Sequence, residues 1–326
     1  LVSQGLRRIR AGHAVAGISA LLEQAGRQPA RALSADLGFV VGPRLNAAGR
    51  LEDMSIGIEC LLTDDIQNAR RIAASLDGIN RDRQDIEAVM RDQAFEILDS
   101  VGSGSLPDCV SVFDPRWHQG VVGLIASRVR EKWHRPAIAF ARSEEGELKG
   151  SARSVPGVHI RDLLESVATT HPGLLRRFGG HAMAAGLTLA EKDFAGFADA
   201  AARQLRQLYP LADFSGVILT DGALPSSALN LGFARLLREA GPWGAGFAEP
   251  LFHGEFEIVE QRTVGDRHLK LKVRSADDKR VIDAIAFRQA GPDYGRHAQL
   301  TYRLDINDYR GDETPQLVVE QIVSIA

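Results

Sequence analysis

Gly179-Gly180-His181-Ala182-Met183-Ala184-Ala185-Gly186 is the stretch on which the reading of this chain turns. Gly179 and Gly180 have no Cβ, so they can take φ > 0 and aim successive N–H groups at an anion. His181 can add a hydrogen bond or a positive charge. The small side chains that follow would let a ligand reach the backbone. A tight turn before a close-packed strand, with a half-buried histidine shaping it, accounts for the same residues. Around this stretch, residues 108–209 alternate strand and helix. Strands are predicted at 110–113, 137–140, 147–153 and 184–189, and helices at 120–133, 160–169 and 194–209. That alternation argues an α/β sandwich.

Three neighbouring segments carry candidate chemistry. Gly150-Ser151-Ala152-Arg153-Ser154 supplies two hydroxyls and a guanidinium, a set suited to gripping a phosphate. Read as an edge strand it would present Ser151, Arg153 and Ser154 to a 5′-phosphate; an ordinary exposed strand with alternating polar residues is the plainer reading. Trp117 and His118 precede a helix that starts around Gly120 and Gly123, where an anion could sit on the helix N-terminus and a base could stack on the ring. A core tryptophan competes with that reading. Gly38 to Gly49 is loop-like, and within Gly42-Pro43-Arg44-Leu45-Asn46-Ala47-Ala48-Gly49-Arg50 the side chains of Arg44, Asn46 and Arg50 could hold phosphate oxygens. The alternative is a salt-bridged loop packed on Glu52 and Asp53.

Taken in order along the chain, these segments resemble the RecJ family of single-strand-specific exonucleases, within the DHH phosphoesterase superfamily. The Gly-Gly-His segment is similar to the hallmark of the DHHA1 domain. The resemblance implies the end of a DHH catalytic domain at 1–62, a connector helix at 63–106, a DHHA1 domain at 107–210 and an OB-fold domain at 211–326. It implies a 5′–3′ exonuclease of DNA recombination and repair that uses Mg²⁺ or Mn²⁺. Single-stranded DNA is the implied partner, with a single-strand-binding protein and a helicase as further ones. Arg44, Asn46 and Arg50 would then lie near the active site, and Ser151, Arg153 and His181 around a nucleotide phosphate. The superfamily's metal motifs are not found: no two of the nine histidines are adjacent, and Asp36 and Asp53 are the only aspartates before residue 60. The chain is therefore expected to be the C-terminal part of a longer enzyme, with no metal of its own and no activity alone. A phosphodiesterase of the same superfamily acting on short oligonucleotides, and a non-catalytic nucleic-acid or protein-interaction module, are the alternatives.

Composition is that of an ordinary globular protein, 44% hydrophobic and 25% charged, and its 326 residues suffice for two or three domains. A net charge of −3 restricts nucleic-acid binding to a local basic patch. Cys60 and Cys109 match no metal spacing and suit a reducing cytoplasm. No apolar run reaches the ~18 residues of a membrane span.

Apolar residues recur at Ile66, Ala69, Ile72, Leu76, Ile79, Ile86, Met90, Ala94 and Ile97, and no proline intervenes before Pro107. The spacing predicts one helix of ~35 residues, about 50 Å long, joining two domains with a groove between them. After Pro210 a helix is predicted at 229–240. Five strands then follow at 256–264, 268–273, 281–287, 299–306 and 316–323, a small barrel of the OB type. Lys270, Lys272 and Arg274 alternate with Leu269, Leu271 and Val273, placing the cations on one face. That face could bind a single strand or simply be solvated.

Overall fold

The structure is a computed structural model and describes every residue except 101–105, 144–145, 245, 266, 292, 309–311 and 326. The chain forms two compact units, residues 8–32 with 36–216, and residues 1–7 and 33–35 with 217–326. Its first helices are α1 (Val2–Arg10), α2 (Ala16–Gln24), the single turn α3 (Ser34–Asp36), α4 (Gly42–Leu51), α5 (Ser55–Leu62) and α6 (Ile66–Ser100).

In the larger unit, α2, α4 and α5 pack on the first half of α6 through Leu21, Leu22, Ala48, Cys60, Ile72 and Leu76. The loop expected over 38–49 is helical. A π-turn over Leu37–Val41 runs straight into α4, and Pro43 sits in the first turn of α4, where its missing N–H costs nothing. Helix α6 has the expected 35 residues. Its buried stripe includes Ala69, Ile72, Leu76, Met90 and Ala94, but ends on Leu98 while Ile97 is exposed. Asp77, Asn80 and Glu87 are buried on it as well, each held by arginine.

The second half of α6 leads to a five-stranded sheet in the order β1-β2-β3-β5-β4. The strands are β1 (Val110–Phe113), β2 (Ala137–Arg142), β3 (Glu147–Arg153), β4 (Arg177–Gly180) and β5 (Ala184–Ala190), and the helices between and after them are α7 (Val122–Trp133), α8 (Ile160–Thr170) and α9 (Phe194–Leu208). Period-two alternation divides the sheet into two faces. Ile138, Phe140, Leu148, Ala152, Leu187 and Leu189 form one core with α8 and α9. On the other face Ala137, Ala139 and Ala141 pack under α7 and the end of α6. Helix α7 contacts β2 and β3, so on this face the bare β5 and β4 positions Gly186 and Gly179 are exposed.

Two expectations are corrected here. Strand β3 is the central strand of the sheet, not an edge. Gly179 and Gly180 form part of the edge strand β4, paired to Gly186 and Ala185, rather than an anion-binding turn. The turn lies one step later, where the His181 N–H donates to the Ala184 carbonyl at 2.8 Å.

The smaller unit contains α10 (Leu231–Ala240) and a closed barrel of β6 (Phe252–Val264), β7 (His268–Ser275), β8 (Val281–Ala286), β9 (His297–Asn307) and β10 (Thr314–Ser324). The order around the barrel is β10-β8-β7-β6-β9, with β10 parallel to β8 and every other pair antiparallel. Leu269, Leu271, Val273, Ala284, Leu300, Tyr302 and Leu317 fill the interior, and α10 packs against β9 and β10. Five staggered strands closing around one layer of side chains is the OB architecture. Among the described residues no helix is long and apolar enough to cross a membrane.

Candidate nucleic-acid interface

The face of the sheet beside α7 holds the strongest concentration of predicted residues. Register sets Ser151 of β3 opposite Gly186 of β5, and Gly186 opposite Gly179 of β4. One step away Arg153 pairs with Ala184, and in the other direction Lys149 pairs with Thr188 and Thr188 with Arg177. Lys149, Ser151 and Arg153 therefore stand on the same face as Arg177 and Gly179. A Cβ built on Gly179 or Gly186 would meet nothing within 4 Å. The result is a floor of bare backbone bordered by cations.

Arg153 is fixed by its own strand, its Nη1 donating to the Ser151 hydroxyl and to the Ala152 carbonyl, both at 2.9 Å. Gly123, near the start of α7, leaves it room: a Cβ there would lie 2.9 Å from the Arg153 guanidinium and 3.1 Å from the Ser151 Oγ. Arg50, at the end of α4, donates to the Gly120 carbonyl at 2.9 Å. Gly120 in turn sits so close that a Cβ would lie 2.1 Å from the Arg50 carbonyl oxygen. His118 accepts the Gly120 N–H on Nδ1 at 3.1 Å. The chain thus brings Arg50, His118, Ser151 and Arg153 together through two glycines. Burial, then the charges of Arg50 and Arg130, push the Arg153 guanidinium below its ordinary value. It remains charged near neutral pH, and the site is a concentration of positive charge under electrostatic pressure.

Lys149, Arg130 and Arg177 were missed by sequence reasoning. The signal was available for two of them. Lys149 and Arg177 lie two residues before Ser151 and Gly179, so strand alternation puts them on the same face. Among the described residues neither has a carboxylate partner, and both are exposed.

Other predicted residues take different places. Ser154 is fully buried and its hydroxyl donates to the Val158 carbonyl at 2.6 Å, while its N–H donates to the Met183 carbonyl. It braces the His181 turn from beneath and offers no hydroxyl to a ligand. Trp117 is 4% exposed and its indole N–H donates to Gln93 Oε1; no ring face is free for a base. Gly180 has φ +148°, and a Cβ there would lie 2.4 Å from the Ala184 carbonyl oxygen, so it shapes the hairpin that presents the exposed His181. Arg44 is tied to Asp77 at 2.8 Å and to the Val40 carbonyl. Asn46 is exposed on the same helix.

On the barrel the period-two expectation holds, with Leu269, Leu271 and Val273 buried and the cations outside. Each cation has a partner: Lys270 lies 3.1 Å from Asp283, Lys272 3.0 Å from Glu260 and Arg274 3.2 Å from Glu257. The predicted basic face is an alternating lattice of both signs. Among the described residues no group of three or more His, Cys, Asp or Glu side chains could hold a metal ion. Mg²⁺ or Mn²⁺ has no donor set there.

A glycine-floored α/β sheet and a five-stranded OB barrel define the class of protein, and the comparisons agree. Residues 107–207 match the DHHA1 domain family and residues 220–321 the RecJ OB domain family. Along its whole length the chain is similar to RecJ proteins. It is 48% identical over 99% of its length to a single-stranded-DNA-specific exonuclease RecJ of Dickeya dadantii, and 45% identical over 99% to that of Escherichia coli. It spans 57% of the length of each. Crystal structures of Thermus thermophilus RecJ in complex with Mn²⁺ and with Mg²⁺ superpose with TM-scores of 0.78 and 0.77 at 26% identity. They match 100% and 99% of this chain, which covers 46% and 48% of theirs.

Proposed function

We propose that this chain is the strand-holding part of a single-strand-specific 5′–3′ exonuclease of DNA recombination and repair, acting in the cytoplasm, and that its sheet face binds the 5′-phosphate end of the strand. The observation that carries this reading is Arg153: partly buried, pressed by two like charges, and bonded only to neutral oxygens of its own strand. A phosphate dianion relieves that pressure, and Arg153 and the Ser151 hydroxyl supply the donors for it. Arg50, His118 and His181 border the same place. Lys149 and Arg177 offer charge to the next phosphates, and the bare Gly179–Gly186 floor lets the sugar–phosphate backbone approach closely.

Two relatives named as single-stranded-DNA-specific exonucleases support the substrate class. Hydrolysis in this family would draw on Mg²⁺ or Mn²⁺, which activates water for attack on the phosphodiester. Among the described residues no group of acidic, His or Cys side chains gathers such a site; in this reading the share of the chain is binding and orientation, and the chain alone is expected not to cleave DNA. A single-strand-binding protein and a helicase are proposed partners of the complete enzyme.

Fluorescence anisotropy with a 5′-phosphorylated and a 5′-hydroxyl oligothymidylate tests the reading. Wild-type chain prefers the phosphorylated strand, and Arg153→Ala loses most of that preference, on the order of tenfold or more. Equal affinity of wild type for both strands removes the phosphate assignment.

A further inference from the structure

The outer wall of the barrel changes character along its length. At one end Arg274, Lys272 and Lys270 are matched by Glu257, Glu260 and Asp283. At the other end, where β7 begins and β8 finishes, Arg267 and Arg288 have no such partner among the described residues. Strand alternation continues one residue past β8, so that Phe287 emerges on the outside, 53% exposed. Its ring meets His268 edge-on, with centroids 5.3 Å apart. Val264, which pairs with His268, is also exposed.

The two turns that frame this end are pinned to each other. The Arg288 N–H donates to His268 Nδ1 at 3.0 Å, and the Ala290 N–H donates to the Arg267 carbonyl at 3.2 Å. Arg288 is held there at φ +60°, a conformation that side-chain-bearing residues seldom adopt. Arg267 and Arg288 are both exposed, and among the described residues neither has a carboxylate partner. An exposed aromatic ring, flanked by two guanidiniums that have no carboxylate partner among the described residues, matches the chemistry of single-stranded nucleic acid: a base to stack and phosphates to neutralise.

We propose that Phe287, with Arg267 and Arg288, forms a base-stacking subsite for single-stranded DNA at this end of the barrel. The subsite rests on the reading of the chain as a strand-holding part. It assigns the barrel's grip to an aromatic end rather than to the Lys270–Lys272–Arg274 run. It is indifferent to the 5′-phosphate and to sequence, since every base has a π-face.

The test uses the full chain with Phe287→Ala and Phe287→Tyr, titrated with a 5′-phosphorylated 15-mer of thymidine. A second oligonucleotide has the same backbone but abasic sites beyond the first three nucleotides. Phe287→Ala weakens binding of the 15-mer about tenfold, leaves the abasic strand unchanged, and is rescued by Phe287→Tyr. Since Phe287 is exposed, the variant should melt with the wild type. The double variant Arg267→Gln/Arg288→Gln lowers the salt dependence of 15-mer binding by about one unit of slope. The proposal is overturned if Phe287→Ala leaves the 15-mer unchanged or weakens both strands alike. It also falls if the double variant leaves the slope unaltered. If wild type keeps its 5′-phosphate preference in those cases, the subsite alone fails; if wild type binds neither oligonucleotide, the strand-holding reading fails with it.

Discussion

The α/β sheet and the barrel each display cations on alternate residues of one strand, Lys149 and Arg153 with Ser151 between them in the first, and Lys270, Lys272 and Arg274 in the second. They differ in what stands opposite. On the sheet, the strand facing β3 contributes Ala184, Gly186 and Thr188. On the barrel, the strands flanking β7 contribute Glu257, Glu260 and Asp283. Electrostatic pull on an anion depends on the net charge of the patch rather than on its cations. A guanidinium among alanine and glycine therefore remains available to a phosphate, whereas a lysine bonded to glutamate is largely spent. A binding strand is recognised by its neighbours across the sheet.

The contrast can be broken most severely at the sheet's own geometry. Gly180→Ala puts a methyl group 2.4 Å from a backbone carbonyl at φ +148° and should cost about 3 kcal/mol or more, read by urea denaturation. Gly179→Ala, where nothing lies within 4 Å, should fold as the wild type does and yet bind single strands more weakly. Equal stability of the two variants would refute the hairpin account.

A gentler break moves one guanidinium. Gly123→Ala sets a Cβ 2.9 Å from the tip of Arg153. The helix gains propensity from the change, so stability should hold within about 1 kcal/mol while the 5′-phosphate preference falls several-fold. Retained preference in that variant would mean that Arg153 is not the group that reads the phosphate.

Trp117→Phe separates core from contact. It removes the hydrogen bond to Gln93 and should cost about 1 kcal/mol in thermal or chemical denaturation, with DNA affinity unchanged. A specific loss of affinity at normal stability would return the ring to the interface.

The smallest effect belongs to the barrel. Lys272→Met removes one exposed ion pair, worth about 0–1 kcal/mol, and should alter single-strand affinity less than twofold. A large loss there would erase the difference between the two strands.

Much of this was legible in the sequence. The 35-residue helix, the α/β alternation and five barrel strands follow from periods of 3.6 and 2, which need no partner information. The resemblance added the DHHA1 and OB identities. What escaped depends on pairing. Gly42-Pro43 reads as a breaker, yet proline is compatible with a first helical turn, and the continuous π-turn before it leaves no sequence mark. Gly179-Gly180 reads as a turn because the glycines are permissive; only the β5 register makes them an edge strand. Ser154 and Trp117 are polar or aromatic residues beside the residues of the proposed site, and burial alone sets them apart. The carboxylates paired with Lys270, Lys272 and Arg274 lie 12 to 17 residues away in sequence, beyond the reach of any local pattern.

Amide hydrogen exchange of the wild-type chain, with and without 5′-phosphorylated trithymidylate, tests the central claim most directly. The account predicts slowed exchange in residues 149–153 and 177–186, lost when the 5′-phosphate is omitted, with residues 270–274 unchanged. Protection confined to 270–274, or protection of the sheet that ignores the 5′-phosphate, would contradict it.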